Sequence, residues 1–350
     1  MNETSGNLLN LHYTLANPQK YHIDKENAAL PTFSINEEKQ AYATVENYLS
    51  ALSSFDTKQL TLDEQYTYDL LNKKLEHRLK GNSFFYFNEF FSPSGGIQGQ
   101  YPILLTEYTF RQKEDITDYL SLLSNTCNYF DSLMIFETEK AKRGFFMPDY
   151  SLSKTVTQCS SIIELDSLNS TSHFLQTTFE ERIQKAIRSN IITTEEGTAF
   201  IAENNRLLKE RVYPAYQNLG TSLSALSGSG KNENGLFYYP QGKEYYEWLF
   251  TETTGSYTDL DTVYNQLAQD YYDNIHSLTR DLSEFQASAK MTQDEITYFP
   301  LSKPEEMLTH LNQSMNVDFP SISSIVPHLK SDVSIKEVSS ALEDYTAPAY

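Results

Sequence analysis

Metal-assisted peptide hydrolysis needs two imidazoles at i and i+4 on one helix face, with a glutamate beside them to take a proton from water. The seven histidines, His12, His22, His77, His173, His276, His310 and His328, contain no such pair. The nearest substitutes at helical spacing are Asp273 with His276 and Glu306 with His310. Either pair can hold two positions of a metal shell, and either is also a polar pair on a surface helix, which is the commoner arrangement. No metal ligand is assigned. Nucleophiles fare no better, since there is no Gly-x-Ser-x-Gly elbow and neither Cys127 nor Cys159 has a recognisable catalytic context. Carboxylates are too abundant for spacing to pick out a glycosidase pair. Gly230-Lys231 is not a phosphate loop, because Ala225 replaces the first glycine and Asn232 the required hydroxyl residue. No catalytic residue is assigned.

Two loops carry binding chemistry. Between Ser92 and Gln100, Gly95, Gly96 and Gly99 free the backbone for close approach or positive φ, while Ser94, Gln98 and Gln100 offer hydrogen bonds. A peptide-binding rim and an ordinary interhelix loop both fit that composition. The second runs from Gly235 to Tyr246. Adjacent Tyr245 and Tyr246 point in different directions at a helix start, so one is expected to be buried while the other presents its hydroxyl to a cleft. Core packing also accounts for both. The substrate-binding candidates from these loops are Ser94, Gly95, Gln98, Tyr245 and Tyr246, with the two loops facing one concave surface.

The elements that must position them are helices. Apolar residues recur at helical spacing over Asn36–Phe55 and Thr61–Leu79, and Gly81 is expected to stop the second in a left-handed cap. A long helical segment is predicted from Glu114 to Lys142, ending at Gly144, and shorter ones over Ser151–Leu165 and Ser172–Ile187. Thr193-Thr194-Glu195-Glu196 has the capping-box form and opens a helix toward Leu226, which Pro214 should kink or break. Gly242–Phe250, Asp259–Phe285 and Pro304–Leu311 follow. After Asp332 the pattern leaves helix and short strand both open. The fold class is mainly α, a large multi-helix array with few short strands.

Composition sets the outer bounds. A net charge of −20, from 47 acidic and 27 basic residues, repels phosphate backbones, so nucleic acid is not an expected partner. The 25 tyrosines and 20 phenylalanines suit amphipathic clefts or wet-edged helix packing. No stretch approaches the roughly 20 apolar residues of a membrane span. Met1–Gly6 has neither the basic nor the apolar region of an export signal.

Several blocks, in order, resemble the bacterial family known as domain of unknown function number 885. They are Leu11–Pro18 with Tyr21 and Ile23, Ser92–Gln98 followed by Pro102–Phe110, Gly144–Met147, Tyr213–Tyr216, Gly228–Gly235 leading into Gly242–Tyr246, Asp318–Pro320, and Leu342–Tyr345 with Pro348–Tyr350. The resemblance implies an N-terminal half of a helical metallopeptidase-like fold, in which residues 1–350 are part of one large domain truncated before an H-E-x-x-H metal helix. Zinc is then expected in full-length relatives and no cofactor in this chain, with a peptide substrate and the missing C-terminal half as partners. Full-length relatives are often exported and lipid-anchored, while the chain's own location stays open. An extended segment bordering the metal helix would pair with substrate backbone, which makes Tyr350 a further substrate-binding candidate. The alternative is a non-catalytic helical protein that binds peptides or glycans.

The histidine spacing generates one expectation directly: the purified chain carries no stoichiometric zinc. Elemental analysis checks it, and one tightly held zinc per chain, lost on replacing His276 or His310, would overturn it.

Overall fold

The computed structural model describes residues 30, 32–288 and 303–318. They form a mainly α, multi-helix array, and no strand occurs among them. His12, His22, His328, the segment after Asp332 and Tyr350 lie outside the described residues. The chain divides into two compact units, one running through Tyr257 and the other from Thr258 to Ser339.

The first unit opens with α1 (Ile35–Leu52), capped by the Ser34 hydroxyl, and α2 (Leu62–Lys80), whose Thr61–Glu64 capping box satisfies orphan donors at both ends of the box. Gly81 does not take the expected left-handed conformation; its φ of −58° is helical. Glycine is needed there for space instead, since a Cβ would lie 2.7 Å from the Trp248 ring. A 3₁₀ turn over Gly81–Phe87 then carries the aromatic run toward α3 (Ile97–Glu107).

The expected Glu114–Lys142 helix is two helices, α4 (Lys113–Ser124) and α5 (Thr126–Arg143). Local polar side chains explain the break. Asn125 donates its amide to the Ser121 carbonyl, and the Thr126 hydroxyl donates to the Leu123 carbonyl at 3.0 Å, competing with the backbone ladder. Next come α6 (Asp149–Ile162), α7 (Leu165–Asn169), α8 (Phe174–Arg188) and α9 (Thr194–Leu207), the last with the predicted Thr193–Glu196 capping box. Pro214 does not end the helical path, since it stands in the first turn of the next helix. The backbone widens to a π turn over Leu208–Val212 and continues as α10 (Tyr213–Ser224). Then α11 (Gly242–Thr254) closes the unit.

The core joins α3 to α10 and is rich in rings: Phe91, Tyr108, Tyr119, Phe130, Phe146, Phe179 and Tyr216 are all fully buried. This is where much of the tyrosine content goes, and buried phenols require partners. The Tyr101 hydroxyl meets that need at the Leu122 carbonyl (3.2 Å) and the Thr126 hydroxyl (2.9 Å). The second unit contains α12 (Leu260–Ser288) and α13 (Pro304–Asp318). Along α12, Tyr264, Leu267, Tyr271, Ile275, Leu278 and Leu282 recur three and four residues apart and stand exposed.

One cap is also a titration device. His173 starts α8 by accepting the Leu175 backbone N–H on Nδ1 at 3.2 Å, while Nε2 lies 2.8 Å from the Ile162 carbonyl. These two partners require the neutral ring with its proton on Nε2. Burial holds the His173 pKa below its ordinary value of 6.5, and burial does the same to His77 against Trp248. The unfolded chain therefore binds more protons below pH 6.5, so the stabilisation is complete above that value and is lost as pH falls through the window beneath it. Thermal unfolding should show a midpoint that declines from pH 6.5 to 5. A His77→Gln/His173→Asn variant should flatten the decline; an unchanged slope would remove both rings from the account.

Candidate functional site

The first candidate site is assembled around the start of α3. Gln98 is 1% exposed, and its carboxamide nitrogen donates to the Ser92 carbonyl (2.6 Å) and to Gln158 Oε1 on α6 (2.8 Å). Gln158 in turn donates to the Pro93 carbonyl at 3.0 Å. This chain of donors fixes the Gln98 amide, because turning it would set its oxygen against two acceptors. Its oxygen is left without a protein partner. Gly96 permits the turn, since a Cβ there would collide with the Ser92 backbone and with Gln98 Oε1. Gly95 is left-handed, at φ +80°.

Pro102, inside α3, has no N–H to give the carbonyl four residues back, which belongs to Gln98. The fully buried Tyr216 hydroxyl on α10 takes over, donating to that carbonyl at 2.8 Å. At the other end of α3, Arg182 of α8 donates to the Leu105 (2.9 Å) and Tyr108 (2.6 Å) carbonyls, satisfying the helix terminus with a cation. The helix is thus fixed at both ends by side chains from its neighbours. Beside its start lies a cavity of about 350 Å³, in which Gly95, Gln98, Gln158 and Ser161 meet the apolar surfaces of Ile103 and Phe174.

A second cavity, of about 630 Å³, is lined by Phe87, Glu89, Tyr150, Asn232, Glu233 and Tyr245, among others. The Tyr245 ring stacks on Phe87 with centroids 4.2 Å apart, and Trp248 lies 6.0 Å beyond it. Behind the wall, the buried Lys140 ammonium donates to the Asn88 carbonyl at 2.6 Å and lies 3.6 Å from Glu137. Burial raises the Glu137 pKa, against the pull of that ammonium. The pair pins the Asn88–Phe91 segment to α5, and thereby one side of both cavities.

The structure therefore places the predicted residues as follows. Gly95 and Gln98 line the first cavity, and Tyr245 lines the second. Ser94 is an exposed turn residue in neither, and Tyr246 is 53% exposed and lines neither. Of the two tyrosines, the half-buried one is the one at a cavity. The two loops line separate cavities at opposite ends of α6, whose first residues reach the larger and whose last reach the smaller. Gln158, Tyr216, Glu89 and Asn232 were not legible as site residues; each is brought in by a contact more than 50 residues away or by a cavity wall.

Among the described residues no group of three or more His, Cys, Asp or Glu side chains is arranged to hold a metal ion. The described donor set does not fit zinc. Both thiols are unsuited to nucleophilic work: burial pushes Cys159 up to about 12 and also raises Cys127. No described helix is long and apolar enough to cross a membrane.

The described residues form a mainly α array with two cavities, and its family can now be given. The chain belongs to the bacterial proteins of unknown function termed DUF885, whose family model matches residues 18–350. No curated protein matches it. Among solved structures, the fold is similar to one described as "the putative lipoprotein from Colwellia psychrerythraea", with a TM-score of 0.71 at 16% identity. The match covers 89% of this chain and 55% of that one, so the chain spans little more than half that protein's length.

Replacing Tyr216 by Phe should remove about 1–3 kcal/mol of stability in urea unfolding, because it strands a buried carbonyl. Adding Pro102→Ala restores the backbone donor and should recover part of the loss. If the double variant is no more stable than Tyr216→Phe, the exchange of donors is not what the hydroxyl supplies.

Proposed function

We propose that the chain is the substrate-shaping, N-terminal portion of a zinc metallopeptidase-like protein, with the cavity at the start of α3 as a subsite for peptide. One observation carries the reading: Gln98, whose buried carboxamide oxygen has no protein partner, is among the residues that line a glycine-edged cavity. A buried acceptor beside apolar walls suits a group that pairs an N–H with an apolar side chain, which is what one peptide residue offers. Gly95, exposed and with open space where a Cβ would stand, keeps the rim low, so an extended backbone can approach. Membership of the family and similarity to a lipoprotein support the setting. In this reading the described residues serve binding and orientation.

The test is calorimetric titration of the chain with the acetylated, amidated tetrapeptide Ala-Leu-Leu-Ala. Saturable binding is expected. Ser161→Trp, at an exposed rim position, should block the cavity without disturbing the fold. Binding unaffected by Ser161→Trp, or no saturable binding at all, would overturn the assignment.

A further inference from the structure

The larger cavity combines features that the peptide subsite lacks. Its lining residues include two carboxylates, Glu89 and Glu233, and no lysine, arginine or histidine. Both are exposed, and among the described residues neither forms an ion pair. Asn232 adds a second acceptor type. It is 8% exposed, lines the cavity, and its buried carboxamide oxygen has no protein partner. Tyr239 donates its hydroxyl to the Phe146 carbonyl at 2.8 Å. The remaining walls are rings: Phe87 and Tyr245 stacked together, with Tyr150 exposed at the mouth.

The charged groups in the lining are both carboxylates, and π faces stand beside them. That combination selects organic cations, since an ammonium or guanidinium supplies donors to the carboxylates while its methylenes and charge lie on rings. We infer that this cavity is a binding site for a cationic amine, an alkylammonium or guanidinium group, held by Glu89, Glu233 and Asn232 against Tyr245 and Tyr150. The field of the carboxylates converges on this place: Glu89 and Glu233 both oppose ionisation of Tyr239, which burial together with them pushes up to about 12, and Glu89 acts likewise on Tyr245. The chain already shows the ring chemistry at the mouth, where Lys154 places its ammonium 5.8 Å from the centre of the Tyr150 ring; Lys154 itself does not line the cavity. A net charge of −20 favours the approach of cations over long range. The inference stands independently of the peptide subsite, because it uses a different cavity and different residues.

The same chemistry is offered by a free amine or by a basic side chain in a peptide, and the test separates them. The chain would be titrated calorimetrically with cadaverine, with Nα-acetyl-lysine methylamide, and with the uncharged Nα-acetyl-norleucine methylamide. The single tryptophan, Trp248, lies 6.0 Å from Tyr245 and provides a fluorescence report of where binding occurs. At least one charged probe should bind saturably, change Trp248 emission, and exceed the norleucine analogue by about tenfold, as two carboxylates and a ring face allow. Tighter cadaverine assigns a free amine; tighter lysine derivative assigns a basic side chain. Glu89→Gln/Glu233→Gln, at exposed positions, should remove most of that preference while circular dichroism stays unchanged. Equal affinity for the norleucine analogue, an unaffected double variant, stoichiometric displacement by calcium, or no saturable binding would each overturn the inference.

Discussion

The structure hinges on how one carbonyl is satisfied. Pro102 denies the Gln98 carbonyl its helical partner, and an unpaired buried carbonyl costs about as much as a lost hydrogen bond or more. Tyr216 supplies the missing donor from α10, 118 residues further along the chain. The same residue's side chain is bound to the Ser92 carbonyl and to Gln158 on α6. One glutamine thus ties the turn before α3 to two other helices through both its backbone and its side chain. With Arg182 holding the opposite end, α3 has little freedom to slide or fray, and the cavity at its start inherits that rigidity. Polar atoms inside an aromatic core make this arrangement specific, because any shift of α3 would strand several of them together.

The frame that carries the second cavity obeys the same logic with different chemistry. Rings do most of the packing, from Phe87 through Tyr245 to Trp248, and Trp248 closes the stack by donating its indole N–H to the His77 carbonyl at 2.9 Å. Gly81 is small because that indole passes over it. The Asn88 carbonyl is held from behind by Lys140. The stretch from Phe87 to Gly96 therefore runs along both cavities with anchors at its start, middle and end, while α6 reaches both from the other side. Movement of this stretch would alter both cavities at once.

How much of this was legible depended on the range of the interaction. The capping box at Thr193 and the helix starts at Thr61 and Gly242 follow from nearby residues, and the sequence reading placed them. The tight turn at Asn125 and the true reason for Gly81 did not, because an apolar period cannot register side chains that compete for carbonyls or an indole arriving from position 248. The loop expected over Ser92–Gln100 takes in the first turn of α3 for a related reason: glycines depress helix propensity, and Tyr216, Gln158 and Arg182 hold the helix in place. Gln98 and Gly95 were nominated from loop composition, and the structure puts both at a cavity. Its companions there come from distant helices that spacing cannot bring together.

Both cavities present the same type of unfilled atom. In each, an amide residue lines the cavity and its buried carboxamide oxygen has no protein partner, Gln98 in one and Asn232 in the other. For Gln98, commitment of the nitrogen to Ser92 and Gln158 gives the oxygen direction, because a free amide could turn to suit either a donor or an acceptor. Such walls discriminate by hydrogen-bond polarity: a carboxylate or phosphate would meet another acceptor, and in the larger cavity two negative charges as well. Ligands rich in N–H groups meet no such penalty. The acidic surface, the buried amide oxygens and the exposed ring faces therefore act in one direction, favouring donors and cations over anions, and the helices around them hold that polarity in place.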